Sequence, residues 1–282
     1  MLYSSKIHNL PHVFKAILGN IFPFSGQKNQ LIVLNYHGTQ KRFIHNFIKQ
    51  INYLKKQYEI ISPDVFFDLA NSKKQVKGKK LLLTFDDGIK NNLLAINELD
   101  NLGISALFFV VPQFIDTSIK DQKHFFVKNI RPTINPFIDE DFEDFSALSW
   151  EDLIKISKNH TIGCHTYSHT MIKDVLNKQD LEMEIVKSKE MIEDKIGLKI
   201  NSFCSINNTL LTIGRKEQQL IEQNYNFHFT TFGGNNATLN SFLIKRINVE
   251  SHWLQGALKF ALSSFELNRW AKKIQLFKNN IK

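Results

Sequence analysis

The chain has 282 residues, of which 43% are hydrophobic and 22% are charged, enough to bury a sizeable core as one large domain. Its 24 phenylalanines and its few glycines and prolines exclude a disordered or low-complexity chain. The formal net charge of +9 suits an anionic partner, such as nucleic acid, a membrane surface or a phosphorylated sugar carrier, and equally suits lysines that only solvate the surface.

The two cysteines and the N-terminal residues of the sequence allow a prediction of the cellular compartment. Cys164 and Cys204 form no Cys-x-x-Cys pair, so a disulfide framework is not expected. No apolar run reaches the length of a membrane span, and no small-residue cleavage site follows the N-terminal stretch. That stretch is also interrupted by His8, Pro11, His12 and Lys15. We therefore expect a cytoplasmic protein, either free or at the inner face of the membrane.

Residues 1–28 are predicted to form an N-terminal helical extension, because apolar residues recur at helical spacing from Ile7 to Ile21. Two interpretations remain open. The helix packs on the domain, or it lies on a membrane with Lys6 and Lys15 as its only strong cations.

From Leu31 to Val111, predicted strands alternate with helices. The predicted elements are a buried strand Leu31–Tyr36, a helix with an apolar stripe from Phe43 to Leu54, a short strand Tyr58–Ile61, a basic loop 73–80, a strand Leu81–Phe85, a helix Asn91–Leu102 and a strand Ser105–Val111.

The second half begins with the least regular segment, 113–148, which contains Pro132, Pro136 and an acidic run and is interpreted as an insertion or lid. Ser149 is a predicted helix N-cap. The remaining predicted elements are a strand 161–163, a helix 177–196, a strand 201–205, a helix 215–224, strands 226–231 and 242–249, and a final helix from His252. Apolar strands without strict alternation predict a parallel sheet covered by helices, and the number of such units suggests a barrel.

Two polar motifs follow predicted strands. Asp86 and Asp87 end an apolar strand, where two like charges are costly without a cation. His165 and His169 lie four residues apart after another strand. Two imidazoles and one carboxylate suit a metal ion, and the second carboxylate is left for proton transfer. Taken singly, the paired acids also suit calcium binding or a helix cap, and the histidines also suit surface or core positions.

His37 likewise follows a predicted strand, Leu31–Tyr36. In a parallel βα fold the carboxyl ends of the strands share one face, where active sites are built. We therefore expect His37, the aspartate pair and His165 to meet at that face, which points to a metal-dependent hydrolase.

These residues resemble the polysaccharide deacetylases of the NodB homology type (carbohydrate esterase family 4). Leu83–Gly88 (Leu-Thr-Phe-Asp-Asp-Gly) is similar to the first signature of that family and His165–His169 (His-Thr-Tyr-Ser-His) to the second. Further similarity, within residues 30–250, lies in Asn35-Tyr36-His37, Phe43–Ser62, Gly103–Phe109 and Leu148–Leu153.

The resemblance implies a distorted (β/α) barrel over residues 29–252, with 113–148 as an insertion, and removal of N-acetyl or O-acetyl groups from sugars. It implies that Asp87, His165 and His169 bind the metal, usually zinc, and that Asp86 is the general base.

The later signatures of the family are absent. Where the third, Arg-x-x-Pro-Tyr, is expected, the sequence reads Phe203–Asn208 (Phe-Cys-Ser-Ile-Asn-Asn), in which the backbone N–H of Asn207 remains a candidate oxyanion donor. Arg246 is a candidate to hold Asp86 ionised. His252 and His37 are candidate general acids.

Residues 253–282 are predicted to end in a basic amphipathic helix that packs on the barrel or lies on anionic lipid. No nucleic-acid-binding motif is present.

The leading hypothesis is a metal-dependent N-deacetylase acting on a surface polysaccharide or its lipid-linked precursor. One alternative is a non-catalytic carbohydrate-binding or complex-forming member of the fold. Another is a non-haem iron oxygenase, against which the βα alternation and the second aspartate argue.

Overall fold

The structure is a computed structural model. It describes residues 6–22, 27–72, 75–132, 144–175, 177–206 and 213–280, with the backbone alone for 6–12 and 276–280. Among these residues, no helix combines the length and the hydropathy that crossing a membrane requires.

A single parallel sheet forms the centre of the fold. Its strands are β1 (Gln30–Tyr36), β2 (Glu59–Ile60), β3 (Lys79–Phe85), β4 (Leu107–Val110), β5 (Thr161–Cys164), β6 (Ser202–Cys204), β7 (Phe227–Phe229) and β8 (Ile247–Asn248). They lie in the order β7-β6-β5-β4-β3-β1-β8, and β2 pairs with the start of β3. Every strand pair is parallel, as the uninterrupted apolar strands predicted.

The sheet curls into a distorted barrel because one segment contacts both of its edges. Ile244 forms a parallel bridge with Phe229 of β7, and its carbonyl accepts the N–H of Thr230 at 2.9 Å. A few residues later, β8 pairs with β1. The predicted (β/α) barrel is confirmed. The strand predicted over 242–249 is too long, since its pairing is divided between this bridge and the two residues of β8.

Helices surround the sheet. They are α1 (Lys6–Ile21), α2 (Ile44–Gln57), α3 (Pro63–Ser72), α4 (Asn92–Asn101), α5 (Pro112–Asp116), α6 (Ile119–Phe125), α7 (Trp150–Ile156), α8 (Lys178–Glu182), α9 (Ser188–Ile196), α10 (Arg215–Asn224), α11 (Gln255–Ala261) and α12 (Ser264–Asn280). π-Helical turns at 126–130 and 183–187 extend α6 and join α8 to α9.

In two regions the helices differ from the predicted elements. The segment 113–148 is not irregular throughout: α5, α6 and the following π turn occupy most of 112–130, because the rings of Phe114, Phe125 and Phe126 are buried there. Residues 133–143 lie outside the described part. The single final helix predicted from His252 is two helices, α11 and α12.

Helix α3 was not predicted, and it fills the barrel interior. Alternate strand residues such as Leu31, Val33 and Leu82 face inward and form one apolar cluster with Phe66 and Phe67 of α3. The Phe67 ring stacks on that of Phe227, with centroids 4.4 Å apart. The interior is therefore a packed core that leaves only its carboxyl end for polar groups.

Replacing the buried Phe66 by alanine is expected to lower the free energy of unfolding by about 3–5 kcal/mol, because the cavity inside a closed barrel cannot collapse. The matched control is Val65→Ala, since Val65 is the neighbouring residue and is 43% exposed. Urea unfolding measures both. A loss at Phe66 no larger than at Val65 would contradict the assignment of α3 to the interior.

Candidate active site

The two aspartates lie at the carboxyl end of β3 and are buried, with 2% and 1% exposure for Asp86 and Asp87. Asp87 has φ 73° and Gly88 has φ 67°. This left-handed turn is strained for an aspartate and natural for a glycine. It turns the chain sharply after the strand, so that consecutive carboxylates face the same site.

Asp86 is held by a bidentate ion pair. Arg246 Nη1 donates to Oδ1 at 2.7 Å and Nη2 donates to Oδ2 at 2.8 Å, while Asn35 Nδ2 donates to Oδ2 at 2.9 Å. Burial by itself would raise the pKa of Asp86, but the charge and hydrogen bonds of Arg246, together with the neighbouring His165, hold that pKa below its ordinary value. Asp86 is therefore an ionised carboxylate at neutral pH.

Arg246 is itself fully buried and fully bonded. Its remaining donors reach the carbonyl of Thr230 at 3.0 Å, Asn35 Oδ1 at 3.0 Å and Cys204 Sγ at 2.7 Å. Burial would lower the pKa of Arg246, yet Asp86 raises it, so the guanidinium stays charged. A buried ion pair is tolerated only when its hydrogen bonds are satisfied, as they are here.

The two histidines both face Asp87 through Nε2, while Nδ1 of each ring is held by a backbone carbonyl. His165 Nδ1 lies 2.9 Å from the carbonyl oxygen of Cys204, and His169 Nδ1 lies 2.7 Å from that of Asn129. A carbonyl oxygen only accepts, so each Nδ1 carries a proton and each Nε2 is directed into the site. Asp87 Oδ1 lies 3.6 Å from Nε2 of His165 and 3.2 Å from Nε2 of His169.

A buried glutamate shapes the loop between the histidines. Glu184 accepts the backbone N–H groups of Tyr167 and Ser168 at 2.9 and 3.0 Å, and the Ser168 hydroxyl. These bonds support a loop in which Thr166 and His169 both have φ 62°, in the left-handed region. Glu184 thereby orients both imidazoles without touching them.

This donor set fits a divalent cation. Oδ1 of Asp87 is buried, and the Nε2 atoms of His169 and His165 face it at 3.2 and 3.6 Å. Burial lowers the pKa of His165 to about 4, which keeps that ring neutral. Burial also acts to lower the pKa of His169, but the carboxylate of Asp87 outweighs it and raises that pKa. Two imidazoles and one carboxylate are a common ligand set for zinc.

Two further candidate residues, His37 and His252, lie beside Glu250 or act on it. His37 Nδ1 lies 3.4 Å from Oε1 of Glu250, and His37 also acts electrostatically on both aspartates. His252 packs against the ring of Phe43 and acts electrostatically on Glu250. Asn207 lies outside the described residues.

Several residues of the site were not predicted: Thr84, Asn129, Glu184, Cys204 as a hydrogen-bond partner, and Glu250. Thr84 and Asn35 have a signal in the sequence, since they alternate inward with Asp86 and the apolar core residues. The carbonyls of Asn129 and Cys204 have none, because any residue type supplies a carbonyl.

The central part of the chain, residues 73–212, matches the family model described as polysaccharide deacetylase. Among curated protein sequences, none matches.

Three solved structures illustrate the similarity in fold. The first is the deacetylase PplD of Streptococcus pyogenes in complex with acetate, at 14% identity over 84% of this chain and 100% of that one, with TM-score 0.63. The second is IcaB from Ammonifex degensii, at 20% identity over 83% of this chain and 98% of that one, with TM-score 0.60. A de-N-acetylase from Aggregatibacter actinomycetemcomitans is 15% identical over 83% and 100%, with TM-score 0.60. The family match over 73–212 and the shared fold confirm the resemblance of the chain to the polysaccharide deacetylases.

Proposed function

We propose that this protein is a metal-dependent hydrolase that removes acetyl groups, in the first place N-acetyl groups, from a sugar. One observation carries the proposal: the buried Oδ1 of Asp87 and the Nε2 atoms of His165 and His169 converge on one point, beside a carboxylate that Arg246 keeps ionised. A cation site next to a base is what hydrolysis of an amide requires.

The substrate class rests on the family and on the neighbours in fold. One of those is a de-N-acetylase and another holds acetate, and the family acts on polysaccharides. We propose an acetylated sugar of a surface polysaccharide or of its lipid-linked precursor, processed at the cytoplasmic face of the membrane. The basic terminal helices favour a lipid-linked substrate.

Asp87, His165 and His169 would hold the metal, most naturally Zn²⁺. Bound there, the ion would lower the pKa of a water molecule and polarise the acetyl carbonyl. Because the Nδ1 protons of both histidines are occupied by carbonyl oxygens, the tautomer that binds metal is already selected.

Asp86 accepts the proton of the attacking water. Attack forms the bond between the water oxygen and the acetyl carbon, and cleavage of the C–N bond then gives acetate and the free amine of the sugar. The position of Arg246 fixes the Asp86 carboxylate and keeps it unprotonated, so that it is ready as a base throughout the neutral range.

The leaving amine takes up a proton, and His37 is the better of the two acid candidates. It acts electrostatically on Asp86 and Asp87, and Glu250 lies beside its Nδ1. Glu250 remains a carboxylate: burial would raise its pKa, but Arg131 and His37 lower it to about 2. A carboxylate beside one ring nitrogen orients an imidazole.

Substitutions of Asp86 and Asp87 are expected to have different effects on activity and on zinc binding. Asp86→Asn removes the base and should lower kcat for acetate release by about 10²–10⁴-fold while zinc binding is retained. Asp87→Asn should lose both activity and zinc. Acetate release from acetylated sugar oligomers and zinc content after dialysis measure the two effects. Tight sugar binding with no acetate release by the zinc-loaded wild type would favour the non-catalytic alternative.

Substitutions of the two acid candidates, His37 and His252, are expected to have different effects on kcat. His37→Gln should lower kcat for acetate release by about 10²–10⁴-fold, because the acid is lost. His252→Gln serves as the matched control and should keep the wild-type kcat, since His252 acts on Glu250 and packs against Phe43. The reverse pattern would assign the acid to His252.

Glu250 is expected to make stability depend on pH. Because its folded-state pKa is lowered to about 2, its contribution is present above the ordinary carboxyl pKa and is lost as pH falls from about 4 towards 2. Urea unfolding should find Glu250→Gln less stable than wild type by about 2 kcal/mol at pH 7, with the difference vanishing near pH 2. Glu190→Gln, at an exposed pair with Lys187, should leave the curve unchanged. A difference for Glu250→Gln that does not vary with pH would contradict the assignment.

A further inference from the structure

Helix α1 turns its small residues inward and its large apolar residues outward. Ala16 is buried, and a Cβ on Gly19 would lie 1.8 Å from the carbonyl oxygen of Gly256, so α1 and α11 meet backbone to backbone. On the other side of α1, four apolar side chains are exposed to solvent over 47% to 67% of their surface: Val13, Phe14, Ile17 and Ile21. An amphipathic helix on a protein surface ordinarily has the opposite orientation.

The exposed apolar surface continues onto α12. The ring of Phe22 stacks on that of Phe265, with centroids 4.9 Å apart, and Phe265 is 50% exposed. Arg269 and Lys272 follow four and seven residues later on the same exposed face of α12. We call Val13, Phe14, Ile17, Ile21 and Phe265 the apolar patch.

The net charge of the protein is concentrated in the two terminal segments of the sequence. Residues 29–252 contain 27 Lys and Arg against 26 Asp and Glu, so eight of the nine net positive charges belong to residues 1–28 and 253–282. The sequences of α1, α11 and α12 contain one acid, Glu266, which pairs with Arg269. The barrel is close to neutral, and the helices that carry the patch are strongly basic.

A cavity of about 330 Å³ among these helices adds to the same surface. Residues of the barrel segment 231–248 form one wall, and the helices contribute Lys15, the pair Arg269 and Glu266, and the indole rings of Trp253 and Trp270. Cations and indoles are the side chains that favour the headgroup region of a bilayer.

We propose that α1, α11 and α12 form a docking surface for anionic phospholipid membranes. The apolar patch enters the boundary between headgroups and acyl chains, and Lys15, Arg269 and Lys272 bind the anionic headgroups. A second copy of the chain fits this surface poorly, because a symmetric dimer would bring the two sets of cations together. The proposal gives a surface to the membrane location named under the proposed function, and it does not depend on the hydrolytic activity.

Vesicle co-sedimentation of the full chain tests the proposal. The vesicles contain phosphatidylglycerol mixed equally with phosphatidylcholine, or phosphatidylcholine alone. Wild type should bind the anionic vesicles, and much less the neutral ones. Phe14→Ser combined with Ile17→Ser should weaken binding more than about tenfold, and Lys272→Gln should weaken it about fivefold. The control Leu198→Ser, at a residue 49% exposed elsewhere on the surface, should bind as wild type does.

Three results would overturn the proposal. They are absence of binding to anionic vesicles, equal binding by wild type and the double variant, and a wild-type dimer in solution that the double variant dissociates. Failure of the proposed function is distinguishable, because Phe14→Ser with Ile17→Ser should hydrolyse a soluble acetylated sugar at the wild-type rate whether or not docking occurs.

Discussion

The buried ion pair between Asp86 and Arg246 is the interaction on which the rest of the site depends. Two adjacent carboxylates at the end of one strand repel each other, and each needs its own source of positive charge. Arg246 supplies it to Asp86 through two hydrogen bonds, while Asp87 is left to the two imidazoles and the cation they suit. Removing the guanidinium would leave an uncompensated buried charge, a far larger loss than that of an exposed pair.

This pair also links the site to the closure of the barrel. Arg246 lies between Ile244, which bridges β7, and Ile247, which begins the pairing of β8 with β1. The segment that joins the two edges of the sheet is therefore the segment that carries the guanidinium inward. Along β1 and β3 the inward residues change from apolar to polar towards the carboxyl end, as in Leu31, Val33 and Asn35. The same alternation that fills the core thus delivers the polar site.

The sequence predicts the local features of the site well and its long-range support poorly. Asp86, Asp87, His165 and His169 are recognisable because each motif is contiguous and follows an apolar strand, and the structure brings them together. Arg246 is recognisable from its strand pattern. Glu250 and Glu184 are not, because their partners are distant in the chain and a lone glutamate resembles any surface residue. Helix α3 was missed because nothing local shows that Phe66 and Phe67 enter a barrel.

The structure shows that absence of the third signature does not leave Asp86 without a cationic partner. Judged by its motifs alone, the chain lacks an arginine at 203–208 and with it a partner for Asp86. In the structure the guanidinium that pairs with Asp86 comes from Arg246, just before β8. Strand β6 contributes Cys204 instead: its carbonyl accepts from His165, and its sulfur accepts from Arg246. A site is defined by where its groups converge, not by their order in the chain. Loss of a signature is thus weak support for loss of activity when another strand supplies the same group at hydrogen-bonding distance.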